Sequence, residues 1–221
     1  MMTPYNPLAK LNLGRSVAEA LVLCPTLPMS QIGDPVGAGV YGIYYTGNLE
    51  QYLPVAEKNR NGLFEQPIYV GKAVPKGARK GGLSFDASQG RALRDRLRKH
   101  ANSINDALNL ELADFVFRSL VVEDIWIPLG ENMMIELFKP VWNLVIEGFG
   151  NNDPGNRRAS QHRSPWDVLH PGRQFAAKLA NGGMTAEVLN VRLREYFAGK
   201  VVPLVPTEEA GDIGSSEGDE E

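Results

Sequence analysis

The chain has 221 residues, 43% of them hydrophobic and 22% charged, a balance that fits one domain with its own core and excludes a disordered or fibrous protein. No stretch approaches the ~18 uninterrupted apolar residues of a membrane span, and Met1-Met2-Thr3-Pro4 begins no leader, so a cytoplasmic protein without membrane contact is expected. Cys24 stands alone, which excludes an internal disulfide or thiolate zinc cluster, and the net charge of −3 hides seven acids and no base in residues 208–221, leaving +4 on the rest.

In chain order, residues 1–12 read as an irregular arm. Ser16 and Glu19 form a capping box ahead of a short helix near 16–23, and Pro25, Pro28, Gly33, Pro35 and Gly37 make a loop. Val40 to Tyr45 is a β-branched and aromatic strand between Gly39 and Gly47. A polar stretch with a helical turn, Leu49 to Lys58, leads to a second strand, Pro67 to Gly71, and then to a Gly-, Lys- and Ser-rich loop, 74–90. From Arg91 to about Leu110, Leu93, Leu97, Ile104 and Leu108 keep helical spacing among basic residues. Phe115 to Val122 is a third strand, Glu131 to Phe138 a helix stopped by Pro140, and Val141 to Ile146 a final short strand. Gly148 to Arg158 is a loop, Arg163 to Arg173 is irregular with Trp166 in the core, and Thr185 to Phe197 is a helix with Leu189, Leu193, Tyr196 and Phe197 on one face.

Residues 72–100 hold nine bases against Asp86 and Asp95. Such density suits either a phosphate-tracking surface or a solvated helix face, and charge alone does not choose. The glycines and lysines of the 74–90 loop do not form the G-x-x-x-x-G-K-[ST] pattern, which argues against a nucleotide triphosphatase. His162 and His170 lie far from any acidic cluster and read as ordinary loop residues or base readers.

Five short motifs remain: Gly39-Val40-Tyr41, Tyr69-Val70-Gly71-Lys72, Arg96-Leu97-Arg98-Lys99-His100, Glu131 and Pro140-Val141-Trp142-Asn143. Singly, each has a structural explanation: tyrosines in β runs fill cores, Arg and His four apart on a helix form a solvated face, Glu131 suits a helix N-terminus and Asn143 a turn. In this order and spacing they resemble the GIY-YIG nuclease superfamily, over roughly 39–146. The resemblance implies an α+β fold: a small, mainly antiparallel three-stranded sheet flanked by helices, here with an N-terminal arm and a C-terminal helical elaboration. It implies Tyr41, Tyr69, Arg96, His100, Glu131 and Asn143 as catalytic residues, with Tyr44 of Gly42-Ile43-Tyr44 as the alternative to Tyr41. Glu131 is chosen over Glu136 because twelve residues separate it from Asn143, as in the family.

These residue types suit phosphodiester hydrolysis, which needs an activated water, a cation against the growing negative charge and help for the departing oxygen. A lone carboxylate at Glu131 suits Mg²⁺, with Mn²⁺ as a substitute, and Arg96 offers a charged fork to phosphate. The base is left open between Tyr41, whose ordinary pKa is about 10, and His100, near 6.5.

The resemblance extends to the small type II restriction endonucleases of the superfamily, through the Arg-x-x-x-His helix and the segment Arg163 to Arg173. That implies double-stranded DNA as substrate, a short palindromic GC-rich site of the CCGCGG type, a symmetric homodimer and a methyltransferase in the same system. Residues 1–206 are then one endonuclease domain, with DNA-recognition additions at 1–38, 74–90 and 150–200, and 207–221 an acidic disordered tail. Lys72, Lys76, Arg79, Lys80, Arg157, Arg158, Arg163 and Arg173 are the candidate DNA contacts. A repair or homing nuclease, or a silent DNA-binding module, is the competing reading.

Overall fold

The computed structural model describes residue 6 and residues 8–74, 90–153 and 162–202. Its centre is β2 (Gly39–Tyr45), every residue of which is buried. A strand covered on both faces reads as a continuous apolar run, which is why Val40 to Tyr45 lacks polar alternation. β2 pairs antiparallel with β3 (Tyr69–Ala73) on one side and β4 (Phe115–Val121) on the other. The sheet has four strands rather than the expected three, in the order β1-β4-β2-β3. The addition is β1 (Leu27–Pro28), paired with Phe117 and Val116 inside the proline-bearing stretch read as loop. An edge strand tolerates proline because its outward side needs no donor.

Helices cover both faces of this α+β sheet. Ala18, Leu21, Val40, Val70, Ile127 and Met134 form one core cluster, between the sheet and α1 (Lys10–Leu23) and α4 (Ile127–Phe138). Tyr41, Ile43 and Tyr45 face the larger cluster, with α2 (Leu53–Asn59), α3 (Ala92–Asp106) and α5 (Val141–Leu144). Alternation along β2 therefore sends Tyr41 and Val40 to opposite sides.

Several boundaries move for physical reasons. α1 starts at Lys10, leaving Ser16 and Glu19 inside the helix rather than at its cap; burial of Gly14, Ala18 and Leu21 outweighs the local capping signal. α4 starts at Ile127, since Pro128 suits a first turn, and it ends where Lys139 turns left-handed (φ 44°) before Pro140. Leu108 falls beyond α3 and is 84% exposed, so it belongs to no helix face. Residues 141–144 are helix, not strand: Trp142 N–H donates to the Ile68 carbonyl, and the Asn143 side chain takes the edge of β3 that a further strand would need. The region read as irregular contains α6 (Pro165–Leu169), capped by Ser164, whose Oγ accepts from Asp167 N–H, and α7 (Gln174–Ala177) follows. α8 (Ala186–Phe197) is capped by Thr185 and buries Leu189 and Leu193. Among the described residues no helix is long and apolar enough to cross a membrane.

Candidate active site

β2, β3 and α3 bring Tyr41, Tyr69, Arg96 and His100 together. Tyr41 lies opposite Gly71, where a Cβ would stand 2.4 Å from the Tyr41 hydroxyl, so only glycine leaves the phenol its place. The Tyr41 hydroxyl meets His100 Nε2 at 2.7 Å. Burial pushes His100 well below the usual imidazole range, with the charges of Arg96, Arg173 and Lys99 adding to it. Burial also pushes Tyr41 well above the usual phenol range, with Tyr69 adding to it and Arg96 opposing. Both partners are therefore neutral at pH 7, and the imidazole tautomer sets which of them donates in this contact. Tyr69 is raised by burial and lowered by Arg96, whose charge lies against both phenols. Tyr44 points to the other side of β2, where its hydroxyl accepts from Arg118 at 3.3 Å, apart from this group.

Glu131 projects from α4, and its carboxylate is 2.6 Å from the Lys72 ammonium. Its charge acts on Tyr41 and Tyr69, raising both phenols. No group of three or more His, Cys, Asp or Glu side chains able to hold a metal occurs among the described residues. A single, partly exposed carboxylate fits Mg²⁺, which commonly keeps several waters and binds one or two carboxylates with substrate phosphate. Asn143 is bonded to the same strand: its Oδ1 accepts from Val70 N–H and its Nδ2 donates to the Val70 carbonyl, both at 2.8 Å. It seals the free edge of β3 and so positions Tyr69 and Lys72 on that strand.

The expected DNA contacts divide. Lys72 lies at the site, half-exposed. Lys76, Arg79, Lys80, Arg157 and Arg158 lie outside the described residues, as do most of the 74–90 loop and the acidic tail. Arg163 donates from Nε to the Ala176 carbonyl at 3.1 Å and bonds Ala177 through Nη2, which commits it to α7. Arg173 is a correction. It is 2% exposed, and its five N–H groups go to both Asp167 oxygens and to the carbonyls of Gly148, Phe149 and Asn151. No donor is left to read a base. His170 is likewise buried rather than a base reader, with Nε2 2.7 Å from the Tyr52 hydroxyl and Nδ1 3.0 Å from Asn109 Oδ1.

Sequence reasoning missed Phe149, whose ring stacks on His100 with centroids 4.4 Å apart and planes at 20°. Nothing in Gly148-Phe149-Gly150 sets it apart from an ordinary turn. It missed Asp167 too, although Asp and Arg six residues apart beside Trp166 were a usable signal for a pair.

Tyr41, His100 and Arg96 thus form one group, with the lone carboxylate of Glu131 on the neighbouring helix. The family model described as the Eco29kI GIY-YIG domain matches residues 34–197, about three quarters of the chain. The chain belongs to this restriction-endonuclease family, and its class is that of a nuclease acting on DNA. The match runs well past the 39–146 that the motifs covered, so the region after Ile146 is part of the family domain. Comparison with curated proteins finds no match.

Proposed function

We infer that this chain is a type II restriction endonuclease that hydrolyses double-stranded DNA at a short palindromic, GC-rich site of the CCGCGG type, as a symmetric homodimer with Mg²⁺. The 2.7 Å contact between Tyr41 and His100, with the Arg96 charge against the phenol, carries the reading. A buried tyrosine–histidine contact also occurs in the core, between Tyr52 and His170; the pair at Tyr41 is set apart by the partly exposed Arg96 and the Glu131 charge beside it, a proton path next to a fixed cation and a carboxylate such as phosphodiester hydrolysis needs.

Arg96 grips non-bridging oxygens of the scissile phosphate with its planar fork. The Tyr41 hydroxyl takes the proton of the attacking water while its own passes to His100 Nε2, so both candidate bases act in one relay. Free of DNA this relay is weak, because burial and the Arg96 charge depress the imidazole. A phosphate on Arg96 offsets that charge, and the imidazole becomes a better base once substrate is in place. Glu131, released from Lys72, would hold the Mg²⁺; when bound, the ion neutralises charge building on the phosphate and on the departing 3′ oxygen. Mn²⁺ suits the same carboxylate-and-water site. Lys72 and the basic residues of 74–90 and 157–158 then track the DNA backbone.

Plasmid incubated with the protein, with and without Mg²⁺, is the test. Discrete fragments that depend on Mg²⁺ are expected. A smear would point to a structure-guided repair or homing type, and intact plasmid under both conditions to a silent binding module.

A further inference from the structure

We propose that the buried Arg173–Asp167 pair is a positioning device for His100, acting through Phe149. Arg173 Nε and Nη2 meet the two Asp167 oxygens at 2.7 Å each, and both residues are 2% exposed. The remaining donors hold the carbonyls of Gly148 at 2.9 Å, Phe149 at 3.1 Å and Asn151 at 3.2 Å. One guanidinium thus fixes three carbonyls of a four-residue turn. Asp167 is fixed in turn by Ser164, whose hydroxyl donates to Oδ2 at 2.6 Å.

Phe149, at the centre of that turn, is fully buried and touches the relay on one side and the core on the other. Its ring stacks on His100 and meets Tyr69 edge-on at 5.0 Å, while Trp142 and Trp166 lie 4.6 Å and 5.2 Å away. The adjoining Gly150 backbone covers Arg96 and Tyr69: a Cβ there would stand 2.8 Å from Arg96 Nη2 and 3.0 Å from the Tyr69 hydroxyl. If the turn shifts, the wall behind the imidazole and the cover over the guanidinium shift with it. A buried ion pair is weak evidence for stability, since apolar residues of similar volume often replace one without loss. Its geometry is better explained by what it holds, three carbonyls beside the relay, than by what it adds to folding.

The inference rests on the nuclease reading for its kinetic arm but not for its spectroscopic one. The double variant Asp167→Leu/Arg173→Met removes both charges while keeping bulk. A cooperative thermal melt is expected, with kcat reduced at least about tenfold and KM within about twofold, as misplaced catalytic groups give. The His100 ring nitrogen signals, read by NMR on DNA-free protein labelled at histidine, shift in the same variant. The signals are compared above the usual imidazole range, where the ring is neutral in every variant, so that loss of the Arg173 charge does not enter through titration. Phe149→Leu, which leaves the ion pair intact, gives the same signal change and the same kcat loss. Arg173→Lys recovers part of the rate by restoring the charge and some of the donors. Unchanged His100 signals in the double variant, or an effect there that Phe149→Leu does not share, overturns the proposal. A wild-type protein that cuts nothing overturns the nuclease reading instead, and the signal shift still decides the positioning role.

Discussion

The Lys72 ammonium sits 2.6 Å from the Glu131 carboxylate, so the side chain assigned to the metal already has a cation. A divalent ion must displace that ammonium or share the carboxylate with it. Lys72→Met should therefore tighten Mn²⁺ binding severalfold, about 1 kcal/mol for a partly exposed pair, as read by electron paramagnetic resonance. Glu131→Gln should abolish both Mn²⁺ binding and cleavage. Equal Mn²⁺ affinity in the wild type and Glu131→Gln would place the ion elsewhere.

Tyr41→Phe keeps the ring and removes the hydroxyl through which the proton passes, so cleavage should fall about 10²–10⁴-fold with DNA binding intact. His100→Ala should lose a comparable amount. A His100→Ala protein that cuts at nearly the wild-type rate would reduce the histidine to a spectator.

Two neutral, buried histidines make stability fall in acid. Burial, with help from Arg173, pushes His170 down to about 3, and burial pushes His100 well below its usual range. The unfolded chain binds these protons near 6.5 and the folded one does not, so the stabilisation is complete above that pH and is lost as pH drops below it. The slope is about 1.4 kcal/mol per unit per histidine, down to each folded value. Urea melts at pH 7.5 and 5.5 should show the loss, and His170→Asn should halve it. A flat profile would mean that both rings take up protons in the folded protein as readily as in the unfolded chain, and half the loss that one of them does.

Asn143→Ala leaves the N–H and carbonyl of Val70 without partners, which should cost about 1–3 kcal/mol in a denaturant melt. Mn²⁺ affinity should hold, which separates edge sealing from metal binding.

The motifs located Tyr41, Arg96, His100 and Glu131 because each sits on a periodic element, where i to i+4 spacing or strand alternation translates directly into shared space. Periodicity also separates Tyr41 from Tyr44, once β2 is known to be covered on both faces. What escaped was set by single hydrogen bonds between distant segments. Asn143 reads as a catalytic motif residue, and its hold on the edge of β3 shows only when its amide is seen against Val70; Arg173 carries the composition of a DNA contact until Asp167 is found beneath it. Leu27–Pro28 is too short for any pattern, and only its pairing with Val116 and Phe117 makes it a strand.

The aromatic wall of Trp142, Phe149, Trp166 and His170 has a consequence for protein engineering. His170 and Trp166, from the C-terminal part, interdigitate with Trp142, from the motif region, at 5.7 Å each, and Tyr52 reaches across to His170. A chimera that keeps the chain up to Ile146 and grafts another protein's downstream segment would therefore open a gap inside the molecule, not swap a surface. Re-targeting such an enzyme calls for substitutions on an intact scaffold, or transplantation of the whole 34–197 unit.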